Sequence, residues 1–126
     1  MSDLAVKSIS TPEFWACAAR SGPDILLSLN GNADLRAAEP ISQMLPEVHA
    51  EACRLGVSTV VVDFRNPEFM NSSCFKSFVT WLSDLQEMDA AHVYRLRVLS
   101  DAGKHWQKRS LLALSCFAVD LVSIEA

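Results

Sequence analysis

The chain has 126 residues, half of them apolar and 21% charged, which suits one domain with a buried core and excludes disordered and collagen-like classes. Fifteen acidic against eleven basic residues give a formal charge of −4, which argues against a general nucleic-acid binder. Apolar runs such as Val60-Val61-Val62 fall far short of the roughly 20 residues that span a bilayer. Met1-Ser2-Asp3-Leu4 carries no secretory pattern, so a single domain over 1–126, in the cytoplasm and away from membranes, is the expectation.

The first 20 residues alternate weakly. Leu4 to Ile9 reads as a strand, and Phe14 to Ala19 as a second strand or a short helix. At least one of them should pair as a hairpin with Ile25 to Asn30, where Ile25, Leu27 and Leu29 share a face. Gly22-Pro23-Asp24 supplies the turn. Gly31 ends that strand, and Asp34 is placed to cap the next element.

Residues 35–55 read as a helix, with Ile41, Met44, Leu45, Val48, Ala52 and Leu55 at helical spacing. Pro40 suits a first turn, Pro46 predicts a kink or restart near Leu45, and Gly56 is a stop. Ser58 to Phe64 has the near-continuous apolar character of a central strand, and Arg65 to Glu68 reads as a loop.

Ser72 or Ser73 starts a second helix running to about Met88, with Phe75, Phe78, Val79 and Leu82 as its core stripe. Val93 to Leu99 alternates as a strand, with Arg95 and Arg97 on one face. Lys104 to about Ser115 is a third helix, and Val119 to Ile124 a closing strand.

Helical connections between strands require parallel neighbours and right-handed crossovers. The fold class is therefore α/β: a mixed sheet, mainly parallel, with an N-terminal hairpin. Burying Arg95 and Arg97 unpaired under helices would be costly, so helices should cover mostly one face.

Catalytic patterns are lacking. There is no glycine-rich phosphate loop and no Gly-x-Ser-x-Gly or His-Glu-x-x-His. Cys17, Cys53, Cys74 and Cys116 are widely spaced and His49, His92 and His105 are scattered, so no metal site, no cofactor and reduced thiols are expected.

The segment from Val60 to Phe75 is the most distinctive: a buried strand, a short loop, then Phe69-Met70-Asn71-Ser72-Ser73-Cys74 opening a helix. It resembles the signature of STAS domains, found in bacterial anti-sigma factor antagonists and in cytoplasmic parts of sulfate transporters. That pattern is a strand, a loop, Phe-apolar-Asp-Ser-Ser/Thr-Gly and a helix. Asn30-Gly31-Asn32-Ala33-Asp34 also resembles the family's strand-end Gly-x-x-Asp, and the element order from about residue 25 to 124 matches the family fold. Asn71 stands where the family has Asp, and Cys74 where it has Gly.

The resemblance implies a STAS-like, non-enzymatic interaction module of bacterial regulation. Its partner would be an anti-sigma factor or serine kinase-like protein. Phosphorylation of the second Ser/Thr, here Ser73 with Ser72 beside it, would release that partner. A hydroxyl at a helix N-terminus is exposed, and a phosphate there would meet free backbone N–H groups and the positive end of the helix dipole.

On the second helix Cys74, Trp81, Leu85 and Met88 widen the apolar surface beyond an ordinary stripe. They either pack on a neighbouring helix or form an exposed strip beside Ser73. On the second reading the partner-binding residues are Asp34, Asn71, Cys74, Trp81 and Met88. The alternative function is a small-molecule-binding or thiol-dependent protein using the Asn71–Cys74 loop, since a thiol in a first helical turn can be activated. Lys104, His105, Lys108 and Arg109 form a basic cluster, either a solvated helix face or a contact for an acidic partner, with Trp106 as anchor.

Overall fold

The computed structural model describes residues 6–89, 91, 93–101, 103 and 105–125, the side chains of His105, Trp106 and Lys108 excepted. Leu4 and Lys104 lie outside the described residues.

The N-terminal region is a meander. Ile9–Ser10 (β1) pairs antiparallel with Phe14–Ser21 (β2), which pairs antiparallel with Asp24–Ala33 (β3). The expected hairpin is therefore present. Gly22, with φ 60°, supplies the left-handed first corner that a two-residue turn needs.

β3 has ten residues, and Thr59–Asp63 (β4) has five. β4 runs parallel to Ile25–Ser28, which leaves the outer end of β3 without a neighbour on that side. Pro67–Met70 (β5) fills the gap, parallel to Gly31–Ala33. The loop expected at Arg65–Glu68 thus ends in a strand. Pro67 is tolerated because it comes first, where a missing N–H costs least.

The register shifts between Gly31 and Asn32. Gly31 has φ +95°, and a Cβ there would lie 2.2 Å from the Glu13 carbonyl oxygen. This close approach lets the Asn32 N–H reach the same carbonyl at 2.7 Å.

Arg95–Leu99 (β6) and Val122–Glu125 (β7) complete the sheet in the order β1-β2-β3-β4-β6-β7, parallel from β3 onward. Ala38–Leu55 (α1), Ser72–Gln86 (α2) and His105–Phe117 (α3) lie over one face. There Ile25, Leu27, Val60, Val62, Leu96 and Val98 are buried in one cluster with Ile41 and Val48 of α1, Phe78 and Leu82 of α2, and Leu111 and Leu114 of α3. On the other face Arg95 and Arg97 are exposed as expected, and Arg97 pairs with Glu125 of the neighbouring strand.

The helices refine the expectations. α1 continues through Pro46 without a restart. Pro46 and Ser42 are exposed, so water can reach the Ser42 carbonyl that loses its helical donor. α2 is rotated: Cys74, Phe78, Trp81, Leu82 and Leu85 are buried, while Phe75 and Val79 are half-buried. Its wide apolar surface serves two contacts, the sheet beneath and α1 beside it.

Candidate functional site

In open sheets of this class, ligands and partners meet the loops at the carboxyl ends of the parallel strands. Here β3 leads into the short 3-10 turn Leu35–Ala37, and β5 leads into α2. The two exits are stitched together. The Asn71 N–H donates to the Ala33 carbonyl at 2.7 Å. The Cys74 thiol reaches the Asp34 carbonyl at 3.2 Å and the Ala33 carbonyl at 3.6 Å.

Asn71 is the N-cap of α2. Its backbone is extended (φ −63°, ψ 148°), and its side-chain oxygen accepts from the Ser73 N–H at 2.7 Å. This satisfies one of the free donors at the helix start, so asparagine provides the capping bond without a charge. Ser72 and Ser73 sit in the first turn, both exposed.

Asp34 caps the 3-10 turn in the same way, accepting from the Arg36 N–H at 2.9 Å. The Arg36 guanidinium bridges Asp34 and Glu13, each at 2.8 Å. Hydrogen bonds from Arg36 hold the Asp34 carboxyl below the usual carboxylate range. The carboxylate is therefore already partnered at the rim of the site.

The expected site residues thus divide. Asp34, Asn71, Ser72, Ser73 and Cys74 come together at one corner. Cys74, however, is fully buried, and burial pushes its thiol pKa up. It is a fastener between α2 and the end of β3, neither a partner contact nor an activated thiol, which corrects both sharper readings of it.

Trp81 is also not at the surface. It is 2% exposed and donates from Nε1 to the Tyr94 hydroxyl at 2.6 Å. The indole can only donate, so the Tyr94 oxygen accepts there, and the same hydroxyl is hydrogen-bonded to His49 Nδ1, 2.7 Å away. Met88 is half-buried and lies beyond the far end of α2, about 20 Å along the helix from Ser73 at 1.5 Å per residue. Of the two readings of this flank, packing against a neighbouring helix is the one observed, and the exposed strip does not exist.

The sequence reading missed two surface residues. Leu35, in the 3-10 turn, is 66% exposed, and Phe69 on β5 is 47% exposed. They flank the serines from the two stitched loops. Phe69 was hidden because β5 looked like a loop. Buried Pro67 and Met70 bracket exposed Glu68 and Phe69, an order without the period of two that marks a strand.

No family model and no curated protein sequence matches the chain. Solved structures do. An anti-sigma factor antagonist from Mycobacterium paratuberculosis superposes with a TM-score of 0.62 at 16% identity, over 86% of each chain. The anti-sigma factor antagonist SpoIIAA in its unphosphorylated form superposes with a TM-score of 0.58 at 18% identity, over 88% of each chain. The chain folds as a STAS-like domain. Within this STAS-like domain, among the described residues, no group of three or more His, Cys, Asp or Glu is placed to hold a metal. No described helix is long and apolar enough to cross a membrane.

Proposed function

We propose that this STAS-like domain is a non-enzymatic interaction module of bacterial regulation. It binds an anti-sigma factor with serine-kinase character, in the cytoplasm, and phosphate on Ser73 releases that partner. The observation that carries this reading is the exposure of Ser73 in the first turn of a helix whose start is fixed by Asn71 and Cys74 and flanked by exposed Leu35 and Phe69. The likeness in fold to proteins described as anti-sigma factor antagonists, one of them in its unphosphorylated form, supports it.

The physics of the switch is local. A phosphate would add about −1.5 to −2 charge without displacing any buried group. The helix dipole would favour it by ~0.3–1 kcal/mol, so the domain stays folded. At an interface, the same dianion must be desolvated against the partner, and binding weakens. Neutral Asn71 preserves the cap on either side of this cycle.

The test is affinity capture of the tagged full chain from its native cells, with mass spectrometry of partner and bait. The reading expects a serine kinase-like regulatory protein and phosphate at Ser73. A bait free of phosphate at Ser73 when that kinase is active would overturn the switch.

A further inference from the structure

The basic cluster on α3 is not absorbed by this reading, and the structure gives part of it a location. Gln107 is buried and pins the start of the helix. Its Nε2 donates to the Phe64 carbonyl at the end of β4, and its Oε1 accepts from the Asp101 N–H at 3.0 Å. Leu111 and Leu114 then enter the core. With that side fixed inward, Arg109 and Ser110 line a groove of about 650 Å3 together with Phe69, Ser72 and Phe75.

Its place in the groove sets Arg109 apart. Arg36, Arg54, Arg65 and Arg97 each hold a carboxylate; Arg20, Arg95 and Arg109 make no ion pair among the described residues, and of these three Arg109 lines the groove. Arg109 is exposed, in a chain of net charge −4. Beside it, Phe69 is 47% exposed and Phe75 half-buried. The groove therefore offers a cation without a carboxylate partner and two aromatic side chains in one lining.

We propose that this groove seats an acidic segment of the protein partner, with an Asp or Glu on Arg109 and a neighbouring apolar side chain against Phe69 and Phe75. This rests on the β5–α2 corner being the partner site, and it names what the corner recognises. A basic segment would be repelled by Arg109, and a wholly apolar one would bury the guanidinium unpaired. The proposal also gives the phosphate a specific target. Ser72 lines the groove and Ser73 adjoins it, so a dianion there lies beside the incoming carboxylate.

The test is selection of a random-peptide phage library on the immobilised full chain, then affinities of the selected peptides for four proteins: wild type, Arg109→Glu, Phe69→Ala and Ser73→Asp. Melting curves confirm folding, since all three positions are exposed. Selected peptides should carry Asp or Glu next to Leu, Ile, Phe or Met. Arg109→Glu should weaken them about tenfold or more, and selection on that variant should enrich Lys or Arg instead.

Peptides without a carboxylate bias, or peptides that bind Arg109→Glu as tightly as wild type, overturn the proposal. If Ser73→Asp and Phe69→Ala weaken binding while Arg109→Glu does not, the acidic segment is wrong and the corner stands. If Arg109→Glu alone weakens binding, the corner reading fails, and with it the link to phosphate. Self-association that Arg109→Glu abolishes would make the occupant a second copy, against the proposal.

Discussion

Removing one oxygen atom, in Tyr94→Phe, should cost this domain about 2 kcal/mol. The Tyr94 hydroxyl is the centre of a chain joining α2 to α1: Trp81 Nε1 donates to it at 2.6 Å, and it is hydrogen-bonded to His49 Nδ1 at 2.7 Å. Burial holds the phenol far above its usual pKa, so it is protonated at any physiological pH. Phenylalanine keeps the packing and deletes both bonds. The Trp81 N–H, on a residue 2% exposed, is then orphaned, a penalty of about 1–3 kcal/mol. His49 is half-buried, so water can replace its lost bond. Urea unfolding should report this loss, and the melting temperature should fall by roughly 6–10 °C. The mechanism makes a sharper claim through a double-mutant cycle. In a Trp81→Phe background there is no indole donor to orphan, so the same Tyr94→Phe change should cost about 1 kcal/mol less. Equal costs in both backgrounds, or a single variant within about 0.5 kcal/mol of wild type, would refute the reasoning.

The geometry makes three more outcomes measurable. Gly31→Ala should cost about 2 kcal/mol or more in urea unfolding, because its φ of +95° disfavours a side chain and the added carbon meets the Glu13 carbonyl. Asn71→Ala should cost ~1 kcal/mol, while Asn71→Asp should hold or slightly raise stability near neutral pH. Asp63 accepts hydrogen bonds from the Arg65 side chain, each 3.0 Å, which hold its carboxyl below the usual range. A lowered folded-state pKa stabilises above the unfolded value and loses that contribution as pH falls. The stability gap between wild type and Arg65→Met should therefore be constant above about pH 5 and shrink below about pH 4.

Most of the architecture was legible in the sequence because it is written in period and in extremes. Val60-Val61-Val62 leads a strand buried along nearly its whole length, and Arg95 and Arg97 alternate with buried Leu96 and Val98 to mark the open face. What escaped depends on pairing rather than pattern. β5 exists because β3 is twice as long as β4, a comparison no local window makes. The burial of Trp81 depends on Tyr94, thirteen positions away just before β6, accepting from its N–H. The helix α2 carried more apolar surface than one contact needs, and the sequence left both explanations standing. Packing on α1 decided between them. At the site, Asn71, Ser72 and Ser73 stood out in the motif. The setting of Arg109 is invisible without the Gln107 anchor that orients α3.

The central claim is that charge at Ser73 governs partner affinity without disturbing the fold. Isothermal titration of the captured kinase-type partner into Ser73→Asp, Ser73→Ala and wild-type protein tests it directly, with Ser72→Ala as the neighbouring control. The account predicts a dissociation constant raised about tenfold or more for Ser73→Asp, near-wild-type binding for both alanine variants, and melting temperatures that agree within a few degrees. Tight binding by Ser73→Asp would contradict it and leave the corner a constitutive docking surface.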